Sequence, residues 1–183
     1  MHGELKKVFT IELDGQAYSW NGRSWYAPRT FQTPPAALVA KLNERLASVL
    51  ADEDAKVTDF SGLLQIARVA RDASQYKRAE AAARRAITLQ PTSEPAFAIL
   101  CSLLRHLGAS DRAVQETEHL RSPRYSPLLV SRAAALCDLE RWPEAKATIA
   151  QALAIEASPE AFGVVNRIKA NRPDLYEDRK RKP

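Results

Sequence analysis

The sequence predicts a mainly α protein, an array of antiparallel helical hairpins preceded by a small three-stranded antiparallel β-meander with a covering helix. Three observations carry that expectation. Apolar residues recur at helical spacing in four places, offset by 34, 32 and 32 residues. A second set of small residues keeps step with the first. Residues 8–27 instead alternate with period two and contain Asp14-Gly15 and Asn21-Gly22, the two-residue signals of tight hairpins.

Taken in chain order, closing a tight turn at each signal pairs Ile11 with Tyr18, Phe9 with Trp20, Tyr18 with Trp25 and Trp20 with Arg23. One face then collects Phe9, Ile11, Leu13, Tyr18, Trp20 and Trp25. A sheet this small needs cover, and the segment after Pro34-Pro35 offers a helix over 34–50 with Leu38, Leu42, Leu46 and Val49 on one side. Left uncovered, the same aromatics would stack on a peptide or on bases. The acidic run 51–56 reads as the boundary, giving a unit over 1–55, a helical array over 56–170 and a charged tail over 171–183. Thr58 or Asp59 is placed to cap the next helix.

The repeat follows. Leu63, Ile66, Ala67 and Ala70 form an apolar stripe that returns as Phe97, Leu100, Cys101 and Leu104, then as Leu129, Ala133 and Leu136, and again as Ala161, Val164, Val165 and Ile168. In step with it, Tyr76 and Ala79 are matched by Ser110 and Ala113 and by Trp142 and Ala145. Short polar stretches separate the two registers, so each unit is a helical hairpin. Alanine suits the close crossing of its two helices. The spacing predicts helices over 59–72, 75–89, 94–107, 110–121, 127–139, 143–155 and 159–170. Pro95, Pro127 and Pro159 fit first turns, where a missing N–H costs nothing.

Ala79, Ala83 and Ala86 followed by the helix-ending Pro91 resemble the tetratricopeptide repeat (TPR), and the resemblance covers about residues 60–170. It implies three repeats and a capping helix. The second unit stops early, at 121–127, and the third sets Arg132 where the stripe wants an aliphatic residue. In arrays of this kind the first helix of each hairpin lines a concave surface that holds a segment of another protein.

Chemistry that would indicate an enzyme is missing from the pattern. No Gly-rich phosphate loop, His-Glu-x-x-His, Cys-x-x-Cys or Gly-x-Ser-x-Gly turn occurs, and no catalytic residue, cofactor or metal is expected. His106 and His119 with Glu118 make a poor metal set, because neighbouring helical residues point in different directions. Cys101 and Cys137 read as small buried hydrophobes. No run reaches the roughly 18 apolar residues of a membrane span and the first residues lack a secretory pattern, so a soluble cytoplasmic protein is expected. The net charge of +5 is spread along the chain, and its 18 Arg and 9 Lys alternate with acids, which argues against a nucleic-acid partner.

The expected function is therefore a non-catalytic adaptor or scaffold for a protein or peptide partner, with self-assembly of the array into a homo-oligomer as the alternative. Residues just after each buried stripe should face the groove: Leu64, Arg68 and Arg71, then Ala98, Ser102 and Arg105 with His106 close by, then Val130, Ala134 and Cys137, and finally Phe162, Asn166 and Lys169. Guanidinium and ammonium groups beside an apolar floor call for an acidic segment with apolar anchors.

Overall fold

The computed structural model describes residues 9–20 and 24–176. The chain divides into two compact units, Met1–Thr58 and Asp59–Pro183.

In the first unit, strands β1 (Phe9–Leu13), β2 (Gln16–Trp20) and β3 (Trp25–Tyr26) form an antiparallel sheet in that order, followed by helix α1 (Ala36–Ala55). Asp14 and Gly15 both have positive φ, 52° and 76°, the signature of a type I′ turn, and β1 and β2 pair in the expected register. The Asn21-Gly22 turn lies outside the described residues. The β2–β3 register differs from the expected one: Trp20 stands opposite Trp25, not Arg23. A two-residue slip leaves every side chain on its original face. It also sets the two indoles 5.5 Å apart, and Trp25 Nε1 donates a 2.7 Å hydrogen bond to Asn43 Oδ1 on α1.

Ile11, Tyr18 and Trp25 pack with Ala27, Leu42, Leu46 and Leu50, so the aromatic face is covered by α1. Leu50 takes the place expected of Val49, because the covering stripe keeps strict i, i+4 spacing from Leu38, and Val49 is exposed. The acidic run 51–56 proves helical through Ala55. It contains no Gly or Pro to stop the helix, and Lys56 Nζ pairs with Glu53 at 3.1 Å.

The second unit consists of α2 (Phe60–Asp72), α3 (Tyr76–Leu89), α4 (Glu94–His106), α5 (Ser110–Gln115), α6 (Ser126–Asp138), α7 (Trp142–Ile155) and α8 (Pro159–Asn171), closed by a short 3-10 turn over Pro173–Leu175. Asp59, Ser93 and Ser158 cap α2, α4 and α8 by accepting from the backbone N–H of Gly62, Ala96 and Ala161. Helices pair as α2 with α3, α4 with α5 and α6 with α7, while α4 also packs on α6 and α6 on α8. Ala79, Ala113 and Ala145 are each 0% exposed, as close crossing requires.

The three hairpin turns share one geometry. Ser74, Gly108 and Glu140 adopt left-handed φ of 59°, 75° and 56°. After each, an N–H reaches back five residues, from Gln75 to the Ala70 carbonyl, from Ala109 to that of Leu104 and from Arg141 to that of Leu136. This is the Schellman arrangement, which satisfies the last carbonyls of a helix.

Helix α5 departs from expectation. It has 6 residues against 14 in α3 and in α7, and ends at Gln115 instead of running to 121. Thr117, at the position of Ala83 in the first hairpin, is buried and turns its hydroxyl back onto the Ala113 and Val114 carbonyls at 2.9 and 3.0 Å. Side-chain bonds of this kind compete with helix continuation. Arg132 of α6 then caps the frayed end, with Nε bonded to Thr117 Oγ1 at 3.0 Å and a terminal nitrogen donating to the Thr117 carbonyl. The arginine that broke the apolar stripe is thus the helix stop of its neighbour. At the far end of the array Tyr176 lies beneath the ammonium groups of Lys146 and Lys169, 4.7 and 5.2 Å from the ring centre.

Candidate functional site

A groove of about 220 Å³ runs over the first helices of the hairpins. Arg68 and Arg71, one turn apart, supply one wall from α2. Pro95, Ala98, Ile99 and Ser102 supply the floor from α4, where spacing of three and four residues puts them on one face. Tyr125 and the first turn of α6, with Pro127 and Ser131, complete it. Apolar floor, two serine hydroxyls and two guanidinium groups suit an extended segment carrying a carboxylate.

Its charges are not equally free. Arg71 bonds Asp72 next to it in the chain at 2.9–3.0 Å, an exposed contact that water screens. Arg68 is exposed and makes no ion pair among the described residues.

Arg105 and His106 line a separate pocket of about 410 Å³, with Gly108, Ser110 and Asp138. There Arg105 Nε donates to Asp138 Oδ2 at 2.8 Å, Arg167 of α8 to Oδ1 at 2.5 Å and Ser110 Oγ to Oδ2 at 2.9 Å. Burial alone would raise the Asp138 pKa, but these three donors overcome it and hold the carboxyl below its usual range. Asp138 ties α4, α5 and α8 to α6, so Arg105 has a partner inside the array. His106 stacks on Tyr76 with ring centres 5.2 Å apart, and His119 meets Phe97 edge-on at 4.9 Å.

Of the sequence-predicted residues, the groove brings together Arg68, Arg71 and Ser102, with Ala98 in its floor. Leu64, Ala134 and Cys137 are buried and line neither cavity. Phe162, Asn166 and Lys169 are exposed on α8 and line neither cavity. Cys101 and Cys137 are free and buried, and burial pushes the Cys101 thiol up to about 12. Tyr125 and Ser131 escaped the stripe rule. Tyr125 precedes its helix, and Ser131 sits two residues past the stripe residue Leu129.

Neither a protein-family model nor a curated protein sequence matches the chain. Solved structures do. The TPR domain of Arabidopsis OM64 aligns with 61% of this chain and 95% of its own, at 18% identity and a TM-score of 0.56. TTC0263, a TPR protein of Thermus thermophilus, aligns over 64% and 68% at 21% identity and 0.57. The first TPR of Spaghetti (RPAP3), solved with the HSP90 peptide SRMEEVD, aligns over 61% and 91% at 17% identity and 0.56. The array has the TPR fold.

Proposed function

We propose that the helical array is a non-catalytic adaptor that takes a short, extended, acidic segment of another protein into the groove of α2, α4 and α6. The observation that carries this reading is Arg68, an exposed guanidinium with no ion pair among the described residues, standing beside Arg71 over the largely apolar floor of Pro95, Ala98, Ile99 and Ser102. A charge left without a partner at the rim of an apolar groove favours an opposite charge in whatever enters. The RPAP3 domain, of the same fold, supports the reading, because the peptide bound to it carries three acidic residues among seven. Selection of a displayed random-peptide library on the intact chain tests it. Recovered sequences should be enriched in Asp and Glu, binding should weaken with added salt, and the double variant Arg68→Glu, Arg71→Glu should retain its helical signal while losing them. A library recovered without acidic enrichment, or equally well by the double variant, would remove the groove from consideration.

A further inference from the structure

One wall of the groove is not built from a repeat helix. Because α5 stops at Gln115, the chain from Glu116 to Tyr125 must travel in non-helical form to the start of α6. Its last residues are held by one side chain of α4. Glu94 Oε2 accepts the backbone N–H of Arg124 at 2.9 Å and that of Tyr125 at 2.6 Å. Bonds to an ionised carboxylate are about twice as strong as neutral ones, and two of them fix both position and direction. Glu94 itself lies in the first turn of α4, directly before Pro95 of the groove floor. At the other end of the linker, Arg132 holds the Thr117 carbonyl. The linker is pinned at both ends, and its free product is the half-buried Tyr125 in the groove.

From this geometry we infer that Tyr125 is a specificity-determining residue of the groove and Glu94 its positioning residue. The inference rests on the groove reading above and adds a second requirement to it. The bound segment carries an acidic residue for Arg68 and Arg71, and a bulky apolar side chain that packs against the Tyr125 ring and Pro127. An aromatic wall offers a large apolar face without conformational cost in the array, because its backbone is already held.

An array of synthetic peptides with one fixed glutamate, varied at every flanking position and matched by a second set with glutamine in place of that glutamate, separates the two requirements. The intact chain should prefer Leu, Phe or Met over Gly or Ser at one flanking position by on the order of tenfold. Tyr125→Ala should flatten that preference while the fixed glutamate still matters. Glu94→Gln should blur it in the same position, and Glu94→Asp should restore part of it. A ratio between peptides measured on one variant does not move with that variant's stability, and circular dichroism melts identify any variant that fails to fold. If Tyr125→Ala keeps the full preference while Arg68→Glu loses the need for glutamate, the inference is wrong and the groove reading stands. If the intact chain shows no need for glutamate, both fall.

Discussion

The second and third hairpins begin alike and end differently. In both the second helix follows the same Schellman turn and buries an alanine at the crossing, yet α7 continues for 14 residues and α5 for 6. Where Ile149 and Ala152 extend the buried face of α7, the matching positions of the second hairpin, Thr117 and Leu120, lie beyond the end of α5 among charged neighbours. Polar groups take over the work of holding that end. Arg84 of α3 forms a bidentate pair with Glu116 at 2.9 Å, and Arg112 adds a contact at 3.3 Å. One hairpin is closed by apolar packing and the other by directed polar bonds, so they should fail under different conditions.

Truncating the apolar closure gives the largest expected effect. Ile149→Ala should cost about 2–5 kcal/mol, because the side chain is fully buried and the helices around it collapse only in part. Urea denaturation reads it, and a loss below 1 kcal/mol would mean that α7 is held some other way. Crowding the crossings comes next. Ala79→Leu, Ala113→Leu or Ala145→Leu should each cost about 1–3 kcal/mol, least at Ala113 if the short α5 can shift.

Breaking the polar closure of the second hairpin should matter on a similar scale. Arg132→Met keeps the bulk but leaves the Thr117 carbonyl without its donor, at a cost of about 1–3 kcal/mol. Hydrogen exchange should localise the added opening to residues near α5, with α7 little changed.

Acid should separate the hairpins again. The bond from Arg84 holds the Glu116 carboxyl below its usual range despite partial burial. Such a depressed folded-state pKa contributes stability that is whole above the unfolded value of about 4.3 and is lost as pH falls through the lower folded value. Amide protection in α5 should therefore fade below about pH 4 before that in α7. Glu116→Gln should remove most of the difference, and simultaneous loss in both helices would mean that the two hairpins are closed in the same way. The smallest effect lies in the turns. Glu140→Gly should raise the thermal midpoint slightly, since left-handed φ costs a residue with a side chain about 1–2 kcal/mol and glycine only its extra chain entropy.

Legibility in the sequence follows the same division. Periodic apolar and alanine positions such as Leu63, Leu100 and Ala145 announced the hairpins because packing repeats whenever the helix does. Arg132 was visible as an exception, but its meaning depended on Thr117 fifteen residues earlier, a contact between α6 and the linker that no local period records. The groove was half legible for the same reason. Arg68, Arg71 and Ser102 follow from helical spacing, whereas Arg105 is drawn away by Asp138 and Tyr125 is delivered by a linker held from α4. In the meander, turn chemistry fixed the β1–β2 register through Asp14-Gly15, while the β2–β3 register followed the pairing of Trp20 with Trp25.

Left-handed Ser74, Gly108 and Glu140 also make the three turns interchangeable junctions. Joining Ser74 directly to Ala109 would excise 34 residues, and joining Gly108 to Arg141 would excise 32, yet each splice would rebuild the same backbone turn with the same pair of helix directions. Recombination at these points changes the array by whole periods without creating a new joint. Such a chain could be lengthened or shortened by whole periods while α8 remains its terminal helix.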